Sequence, residues 1–298
     1  MPTYASEHAF FLPGPTAAGK SEVAIAFAER VGGEIVGADA FQIYAGLDVL
    51  SAKPSATLRA RVPHHLIGEI PLTEHVDVAR YLAFAEARIR EITARGKVPV
   101  VCGGTGLYIR ALTHGLSELP SGDPALRADL EKEPLPSLAA RLRELDPATQ
   151  VDLNNLRRVI RALEVCMLTG RPFSSFRTEW NAPCGARGLV LTRKRGRLDE
   201  RINARTEAMF AGGVVAEVAA SGTTGPTASQ MLGLAEIRRL IAGEMSLADC
   251  IAAIQQATRR YAKRQLTWFR RESAFAWLDL DEEPDPAGAC VRALKASR

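Results

Sequence analysis

A glycine-rich loop near the N-terminus constrains the fold more than any other feature of the sequence. Residues 14–21 read GPTAAGKS and fit the pattern G-x-x-x-x-G-K-[ST]. The apolar run at 9–12 predicts a short buried strand before the loop, and residues 21–30 predict a helix after it. A loop between a strand and a helix points backbone N–H groups and the helix N-terminus at a polyphosphate. A phosphate-binding loop is therefore favoured over a glycine-rich turn that fits by chance.

Two side chains of this loop also favour phosphate binding. Lys20 adds a positive charge, and the hydroxyl of Ser21 is suited to ligate Mg²⁺. The residues predicted to bind phosphate are Gly14, Pro15, Thr16, Ala17, Ala18, Gly19, Lys20 and Ser21. The loop alone does not specify which phosphate compound binds there or which bond is broken.

Strands and helices alternate in the first part of the chain. Residues 34–38 predict a second strand that ends at Asp39, and residues 97–102 predict a third, which runs into the GGTG sequence containing Thr105. A helix is predicted between them, at 77–95. This alternation predicts an α/β fold, a P-loop NTPase-like parallel sheet flanked by helices. Because ligands bind at the carboxyl ends of parallel strands, we expect the loop, Asp39 and Thr105 to converge on one crevice.

The pattern changes in the middle of the chain. Prolines there bracket short helical segments, and strand character returns only at 188–192, with a last strand predicted at 275–278. The predicted division is a P-loop catalytic core at 1–115 and 186–298 with a helical insertion domain at 116–185.

Composition and cysteine content exclude several classes of protein. Hydrophobic residues make up 47% of the chain and charged residues 24%, which is ordinary for a globular protein. No apolar run approaches the roughly 20 residues that span a bilayer, and the N-terminus shows no secretory signal pattern. The five cysteines are scattered without zinc-ligand spacing, and His64 and His65 have no third ligand at a sensible spacing, so the histidines are assigned a structural or positioning role. We expect a monomer in the reducing cytoplasm, without membrane contact.

Positive charge is concentrated on two predicted helices. On the helix at 249–271, a group of cations falls within an arc of roughly 140°, with no carboxylate between them. These cations are Arg259, Arg260, Lys263, Arg264, Arg270 and Arg271. On the helix at 155–168, an apolar row is flanked by Arg157, Arg158 and Arg161. A solvated basic face, or pairing of Arg161 with Glu164, is the alternative, but the unbalanced charge favours a polyanion partner.

The motifs, in their order, resemble those of the bacterial tRNA dimethylallyltransferases, also called tRNA isopentenyltransferases. The resemblance runs over most of the chain. It is carried by GPTAAGKS at 14–21, ADAFQIY at 38–44, GGTGLY at 103–108 and KRQLTWF at 263–269. The loop alone is generic, whereas the combination is specific to the family. Two positions depart from the family pattern: Ala40 stands where serine is usual, and Leu234 where tyrosine is common.

This resemblance implies a reaction and assigns roles in it. A dimethylallyl group would move from dimethylallyl diphosphate to N6 of adenosine 37 in a tRNA with an A36-A37-A38 run. The loop would hold the diphosphate leaving group with Mg²⁺, and Arg201 and Arg205, one helical turn apart, would reach the same phosphates. Asp39 is the predicted general base for the amine proton, and Thr105 is predicted to position the amine or a phosphate oxygen.

Each of these roles has a simpler alternative. The two arginines could form a solvated helix face. Asp39 could ligate Mg²⁺ through water or cap a helix, and Thr105 could stabilise its own loop. Gln42 is predicted to read the edge of the adenine, which must leave the anticodon-loop stack. The full set predicted to contact tRNA is Asp39, Ala40, Phe41, Gln42, Thr105, Arg127, Arg157, Arg158, Arg161, Lys263, Arg264 and Arg271.

Other classes of protein share parts of this pattern. A small-molecule or nucleoside kinase would use the loop for ATP, and a non-enzymatic RNA-binding module would use it as a nucleotide switch. The order of the motifs from Asp39 to Phe269 argues against both. An isopentenyltransferase acting on free adenine nucleotides is a closer relative, but it would need neither the insertion nor the basic helix.

Overall fold

The structure is a computed structural model that describes residues 3–117, 119–176, 185–272 and 275–296. The chain divides into two compact units. The first unit comprises Met1–Gly115 and Pro183–Arg298, and the second comprises Leu116–Ala182. The first contains a sheet with helices packed on it, and the described part of the second is helical.

Parallel strands form the sheet of the first unit, in the order β3-β2-β4-β1-β5-β6. The strands are β1 Phe10–Pro13, β2 Gly33–Gly37, β3 His64–His65, β4 Val98–Gly103, β5 Arg187–Thr192 and β6 Ala276–Asp279. Strand β1 lies between β4 and β5, so the phosphate loop that follows β1 emerges near the centre of the sheet. A parallel sheet flanked by helices confirms the predicted fold class.

Helices surround this sheet and form the second unit. In chain order, the α-helices of the described residues are α1 Tyr4–His8, α2 Lys20–Val31, α3 Ala56–Arg59, α4 Val78–Ala94, α5 Gly106–His114, α6 Pro124–Leu130, α7 Leu135–Leu145, α8 Leu156–Thr169, α9 Arg195–Ala211, α10 Val214–Ala220, α11 Leu234–Ile241, α12 Leu247–Glu272 and α13 Pro286–Ala296. Short 3₁₀ turns occupy Phe173–Phe176 and Ala228–Gln230. Within the described ranges, none of the helices combines the length and apolar character needed to span a bilayer.

Apolar side chains alternate along the central strand β1 and build a core on both faces of the sheet. Phe11 packs on one face with residues of α4 and α5, whereas Phe10 and Leu12 pack on the other with residues of α2 and α13. All three phenylalanine and leucine side chains are fully buried. Because a strand covered on both faces is held firmly, the loop at its carboxyl end starts from a fixed position.

Two glycines allow the ends of neighbouring strands to come together. A β-carbon on Gly103, at the end of β4, would lie 2.1 Å from the carbonyl oxygen of Ala38, just after β2. A β-carbon on Gly14, at the start of the phosphate loop, would lie 2.2 Å from the carbonyl oxygen of Leu191 in β5. Only glycine permits such a close approach of two backbones. Any side chain at either position would force these strand ends apart.

The predicted strands correspond to β1, β2, β4, β5 and β6 to within one residue at each end. The sequence pattern does not predict β3, because two residues are too few to show alternation. Nε2 of His65 in β3 hydrogen-bonds to Oε2 of Glu34 at 2.8 Å, and Nη2 of Arg95 donates to the same oxygen at 2.7 Å. These bonds give His65 a structural role at the edge of the sheet.

Helices α6, α7 and α8 form the second unit. Its core includes Leu138 and Leu142 of α7 and Leu163 of α8, which are fully buried. Asp146, also fully buried, accepts hydrogen bonds from the backbone N–H and the hydroxyl of Ser174 at 2.9 and 2.6 Å. These bonds fix the segment that follows α8 against the end of α7.

Candidate active site

A cavity in the first unit opens at the carboxyl ends of β1, β2 and β4. The phosphate loop, the turn after β2 and residues of α9 and α12 line it. The predicted site residues that line the cavity are Thr16, Ala17, Gly19, Lys20, Ser21, Asp39, Phe41, Gln42, Arg201 and Arg205. Those that support it from outside its lining are Gly14, Pro15, Ala18, Ala40 and Thr105. The structure therefore brings together residues that lie up to about 190 positions apart in the sequence.

The phosphate loop has the backbone conformation of an anion-binding turn. Ala17 and Gly19 both lie in the left-handed region, with φ of 63° and 99°. Gly19 is the N-cap of α2, and no side chain caps the first N–H groups of this helix. These N–H groups therefore remain available to a ligand at the positive end of the helix dipole.

Lys20 lies partly buried beneath the loop, with no anion close enough to form an ion pair among the described residues. Its Nζ donates to the carbonyl oxygen of Pro15 at 2.8 Å. Burial lowers the pKa of Lys20 from its ordinary value, and the neighbouring Asp39 only partly opposes this effect. An incoming phosphate would supply the counter-charge that this ammonium lacks.

Two arginines of α9 approach the same loop and donate to uncharged oxygens. Nε of Arg201 donates to the carbonyl oxygen of Ala17 at 2.7 Å, and Nη2 of Arg205 donates to Oγ1 of Thr16 at 2.8 Å. Nε of Arg205 is buried without a hydrogen-bond partner, and burial lowers the pKa of this arginine. The cations thus converge on the loop, and a hydroxyl or carbonyl oxygen does not neutralise their charge.

Asp39 lies in the turn after β2 and lines the cavity. Its Oδ1 accepts hydrogen bonds from the backbone N–H groups of Phe41 and Gln42 at 3.0 and 3.3 Å. These bonds fix the orientation of the carboxylate and leave Oδ2 to accept a proton or a further donor. Asp39 can therefore cap the turn through Oδ1 and still accept a proton in the cavity through Oδ2, although the sequence interpretation gave these roles as alternatives.

Thr105 and Gln42 hold the same turn. Oγ1 of Thr105 accepts the backbone N–H of Ala40 at 3.0 Å. Nε2 of Gln42 donates to the carbonyl oxygens of Ser51 and Ala52 at 3.2 and 3.1 Å. The structure thus gives Thr105 the loop-stabilising bond foreseen as its simpler role, and contact with the substrate amine stays a prediction. In Gln42, the carboxamide oxygen is the atom left to read an adenine edge.

A buried polar face of α12 was missing from the sequence interpretation. Gln265 accepts the N–H of Thr16 at 2.8 Å through Oε1 and donates to the carbonyl oxygen of Gly104 at 2.8 Å through Nε2. It thereby joins the phosphate loop to the GGTG segment. Burial raises the pKa of the neighbouring Tyr261. The residues of α12 that line the cavity are Ile254, Thr258, Tyr261 and Gln265, whose helical spacing is the signal that could have identified this face.

The basic arc of α12 is largely exposed, with one exception. Lys263, Arg264 and Arg271 lie at the surface, as the predicted arc requires. Arg259 departs from it, because its Nη1 donates to Oδ1 of Asn203 at 2.6 Å. Asn203 belongs to α9, so Arg259 joins two helices of the first unit.

In the second unit, two arginines predicted to bind tRNA hold a buried carboxylate. The side chain of Glu164 is fully buried and accepts hydrogen bonds from Arg127 at 2.8 Å, from Arg161 and from the backbone N–H of Asp123 at 2.8 Å. Burial alone would raise the pKa of Glu164, but these bonds lower it. Both arginines clamp a buried carboxylate, and the pairing of Arg161 with Glu164 foreseen as the simpler role is observed. Contact of Arg127 and Arg161 with tRNA stays a prediction.

The remaining arginines of α8 lie at its start. Arg157 and Arg158 occupy the first turn and are exposed. Oδ1 of Asn155 caps this turn by accepting the N–H of Arg158 at 3.2 Å. Contact of these arginines with RNA stays a prediction.

The parallel sheet, the loop after β1 and the cations around it define a class of protein, the α/β enzymes of the P-loop type. Comparison with known proteins narrows this class. A family model described as IPP transferase matches residues 42–272. The chain is 42% identical to the tRNA dimethylallyltransferase of Akkermansia muciniphila, over 96% of this chain and 98% of that protein. It is 46% identical to that of Anaeromyxobacter sp. strain K, over 89% and 90% of the two chains.

Comparison with solved structures points to the same family. The full-length tRNA isopentenylpyrophosphate transferase of Bacillus halodurans matches with a TM-score of 0.72 and 32% identity, over 98% of each chain. A eukaryotic dimethylallyltransferase acting on tRNA matches with a TM-score of 0.80 and 25% identity, over 97% of this chain and 78% of the other. The protein belongs to the IPP transferase family, the prenyl-transferring enzymes named tRNA dimethylallyltransferases. These names support the interpretation as a prenyltransferase and give no support to the kinase alternative.

Proposed function

We propose that this protein transfers a dimethylallyl group from dimethylallyl diphosphate to N6 of adenosine 37 in the anticodon loop of tRNA. One observation carries the proposal: a single cavity combines a phosphate loop surrounded by uncompensated cations, the carboxylate of Asp39 and an apolar wall. The identity of the transferred group and of the acceptor RNA is inferred from the names of the relatives. The chemistry of each part of the cavity is compatible with this reaction.

The cations are suited to the leaving group. When the allylic carbon–oxygen bond breaks, negative charge grows on the departing diphosphate. Lys20, Arg201 and Arg205 already point at the loop and are held by neutral oxygens, so little reorganisation is needed as the charge develops. Each would exchange a neutral acceptor for a charged phosphate oxygen, which makes a stronger hydrogen bond.

The donor groups around the loop also fit Mg²⁺. Ser21 lines the cavity and offers a hydroxyl, one of the oxygen ligands that this ion prefers. Among the described residues there is no cluster of three or more His, Cys, Asp or Glu side chains that could hold a metal ion alone. We therefore assign Mg²⁺ to a site completed by the diphosphate of the substrate, where the ion would neutralise part of the leaving-group charge.

The apolar wall is suited to the dimethylallyl group. Leu50, Met209, Met231 and Ile254 line the cavity and are at least nine-tenths buried. A β-carbon on Gly233 would lie 3.1 Å from Cδ1 of Ile254 and 3.2 Å from Cδ1 of Leu50, so the wall is tightly backed at this point. A short branched hydrocarbon would be removed from water against these side chains.

Asp39 is the proposed general base. The lone pair of the adenine amine is delocalised into the ring, so loss of a proton must accompany attack on the allylic carbon. Oδ1 of Asp39 is held by two backbone N–H groups, and Oδ2 would accept the amine proton. The new carbon–nitrogen bond forms as the carbon–oxygen bond breaks, and the diphosphate leaves with the electron pair.

The tRNA would bind through exposed cations of both units. We assign its phosphates to Lys263, Arg264 and Arg271 of the first unit and to Arg157 and Arg158 of the second, and the target base to the turn at 39–42. The requirement for an A36-A37-A38 run and a monomeric state belong to the same proposal. The base must leave the anticodon-loop stack to reach a cavity of this kind.

The proposal is tested by incubating the purified protein with unmodified tRNA, Mg²⁺ and radiolabelled dimethylallyl diphosphate. We expect label in N6-(dimethylallyl)adenosine after digestion to nucleosides, and none when adenosine 37 is replaced by guanosine. Parallel reactions with radiolabelled ATP test the kinase alternative. Transfer of phosphate from ATP without prenyl transfer would overturn the proposal.

A further inference from the structure

Arg193 is a partly buried cation that the roles described above do not use. It follows β5 directly, and its side chain is 22% exposed. Nε donates to the carbonyl oxygen of Ala18 in the phosphate loop at 2.8 Å. Nη1 donates to the carbonyl oxygen of Leu280 at 3.2 Å and to Oδ1 of Asp281 at 2.5 Å. One guanidinium thus joins the loop to the segment that follows β6.

Asp281 is itself fixed in place. Its Oδ2 accepts the backbone N–H of Lys194 at 2.9 Å, and its own N–H donates to Oδ1 of Asp279 at 2.9 Å. Its side chain is 12% exposed. Because both oxygens of the carboxylate are engaged, Asp281 sets the direction in which the guanidinium of Arg193 points.

The third nitrogen of this guanidinium is directed at the phosphate loop. A β-carbon on Gly19 would lie 3.6 Å from Nη2 of Arg193 and 3.7 Å from Nη2 of Arg201. Oε2 of Glu22 would lie 3.8 Å from the same point. Two guanidinium groups, one from the residue after β5 and one from α9, therefore converge beside the residue that precedes Lys20.

We propose that Arg193 is a further diphosphate-binding residue and that Asp281 orients it. This inference rests on the proposed function, because it assumes that a diphosphate occupies the loop. A guanidinium presents several N–H donors in one plane and can hold a backbone carbonyl and a phosphate oxygen together. Arg193 and Arg201 would bind the outer side of the diphosphate, and Lys20 would bind it from beneath the loop.

The chain supplies a matched control for this proposal. Lys194 and Glu282, each next in sequence to Arg193 and Asp281, form an ion pair of 3.0 Å whose side chains are 64% and 67% exposed. Removing the charge of Lys194 changes the net charge of the same segment by the same amount. Only a specific contact with the ligand would distinguish the two positions.

The test is titration calorimetry of the full chain with inorganic pyrophosphate and Mg²⁺. We expect Arg193→Gln to weaken pyrophosphate binding about tenfold or more, as loss of a charged hydrogen bond does. Arg193→Lys should recover part of this loss, Asp281→Asn should weaken binding less than Arg193→Gln, and Lys194→Gln should bind like the parent. In steady-state assays, Arg193→Gln should raise the KM for dimethylallyl diphosphate and leave tRNA affinity unchanged.

The outcomes separate this inference from the function on which it rests. If the parent does not bind pyrophosphate, the assignment of the loop to a diphosphate fails, and the inference fails with it. If the parent binds and Arg193→Gln binds equally well, or Lys194→Gln is weakened as much, only the role of Arg193 is overturned. Should Arg193→Gln not fold, Asp281→Asn decides the matter, since parent-like affinity in that variant overturns the orienting role.

Discussion

Two pairs of arginines, one pair in each unit of this protein, are held by different kinds of acceptor. In the first unit, Arg201 and Arg205 donate to a carbonyl and a hydroxyl oxygen of the phosphate loop. In the second, Arg127 and Arg161 donate to the buried carboxylate of Glu164. A neutral acceptor orients a cation without neutralising it, whereas a carboxylate does both. For these two pairs, the acceptor, and not the number of basic residues, separates the cations proposed to bind a ligand from those that hold a buried carboxylate.

The pKa shifts of the buried charged groups also differ between these two clusters. In the first unit, burial lowers the pKa of Lys20 and of Arg205, so positive charge is held there at a cost that an anion would relieve. In the second unit, the pKa of Glu164 is lowered because the arginines stabilise its charged form. The first is the pattern of a binding site and the second that of a structural ion pair.

The largest expected effect is at Asp39, the carboxylate that faces the cations of the first unit. Asp39→Asn should lower the rate of prenyl transfer by a factor on the order of 10² to 10⁴, because the amine would lose its proton acceptor. The amide oxygen can still accept the N–H groups of Phe41 and Gln42, so the turn should persist. Single-turnover rates with saturating tRNA test this, with pyrophosphate affinity as the control. A near-parental rate would remove Asp39 from the role of base.

Lys20→Met should weaken pyrophosphate binding by about 10- to 100-fold, since a buried charged hydrogen bond to the ligand is lost. Calorimetry with Mg²⁺ measures the affinity. Lys97→Met, at an exposed lysine just before β4, is the control and should bind like the parent. Equal affinities for all three proteins would mean that the loop does not hold a diphosphate.

The lowered pKa of Lys20 also predicts how binding depends on pH. A diphosphate binds the protonated amine more tightly, so affinity should be highest where Lys20 is protonated. It should fall as pH rises through the pKa of free Lys20, which lies below the usual 10.5. Calorimetry across a pH series measures this, and Lys20→Met corrects for ionisation of pyrophosphate itself. A constant ratio of the two affinities across that range would contradict the prediction.

In the second unit, the expected effect is on stability. Glu164→Gln should lower the free energy of unfolding by about 1–3 kcal/mol, because two arginines and the N–H of Asp123 lose a charged acceptor. The folded-state pKa of Glu164 is lowered, so its stabilisation is present at neutral pH and is lost as pH falls through that value, below 4.5. Denaturant titrations at two pH values measure both effects. Glu144→Gln, at an exposed position of α7, is the control.

An unchanged free energy of unfolding in Glu164→Gln would mean that the clamp contributes little to the second unit. Pyrophosphate affinity gives an independent check, since it should stay at the parental value. A loss of that affinity would contradict the distinction between the two kinds of arginine.

How far the sequence predicts such features depends on the separation of the residues involved. The phosphate loop, the strands and the position of Asp39 follow from local pattern, because the loop and the strand ends are each encoded within about ten residues. The bond between Gln265 and Thr16 joins residues 249 positions apart. No local periodicity encodes a contact of that kind, which depends on how α12 packs.

The same limit applies to the ion pairs of the second unit and to the polar side of α12. The pairing of Arg161 with Glu164 is three residues apart on one helix and can be foreseen, whereas that of Arg127 with Glu164 spans 37 residues and cannot. The apolar stripe of α12 predicts which side is buried but not that Thr258 and Gln265 are polar members of that side. Arg193 looks like an ordinary surface residue after a strand, because its partners Ala18 and Asp281 lie 175 and 88 positions away.

The smallest expected effect is on the salt dependence of tRNA binding, and two arginines of α8 test it. Arg158 is exposed in the first turn, and Arg161, three residues on, is bound to Glu164. If Arg158 contacts a tRNA phosphate, Arg158→Gln should reduce the slope of log affinity against log salt concentration by roughly 0.7–0.9. Arg161→Gln should keep the parental slope and instead lower the melting temperature, because it removes a partner of a buried carboxylate. Filter-binding across a salt series and thermal denaturation measure the two quantities. Equal slopes in the two variants would show that the group that accepts an arginine's hydrogen bonds does not determine whether the arginine binds RNA. That result would contradict the distinction drawn between the two pairs of arginines.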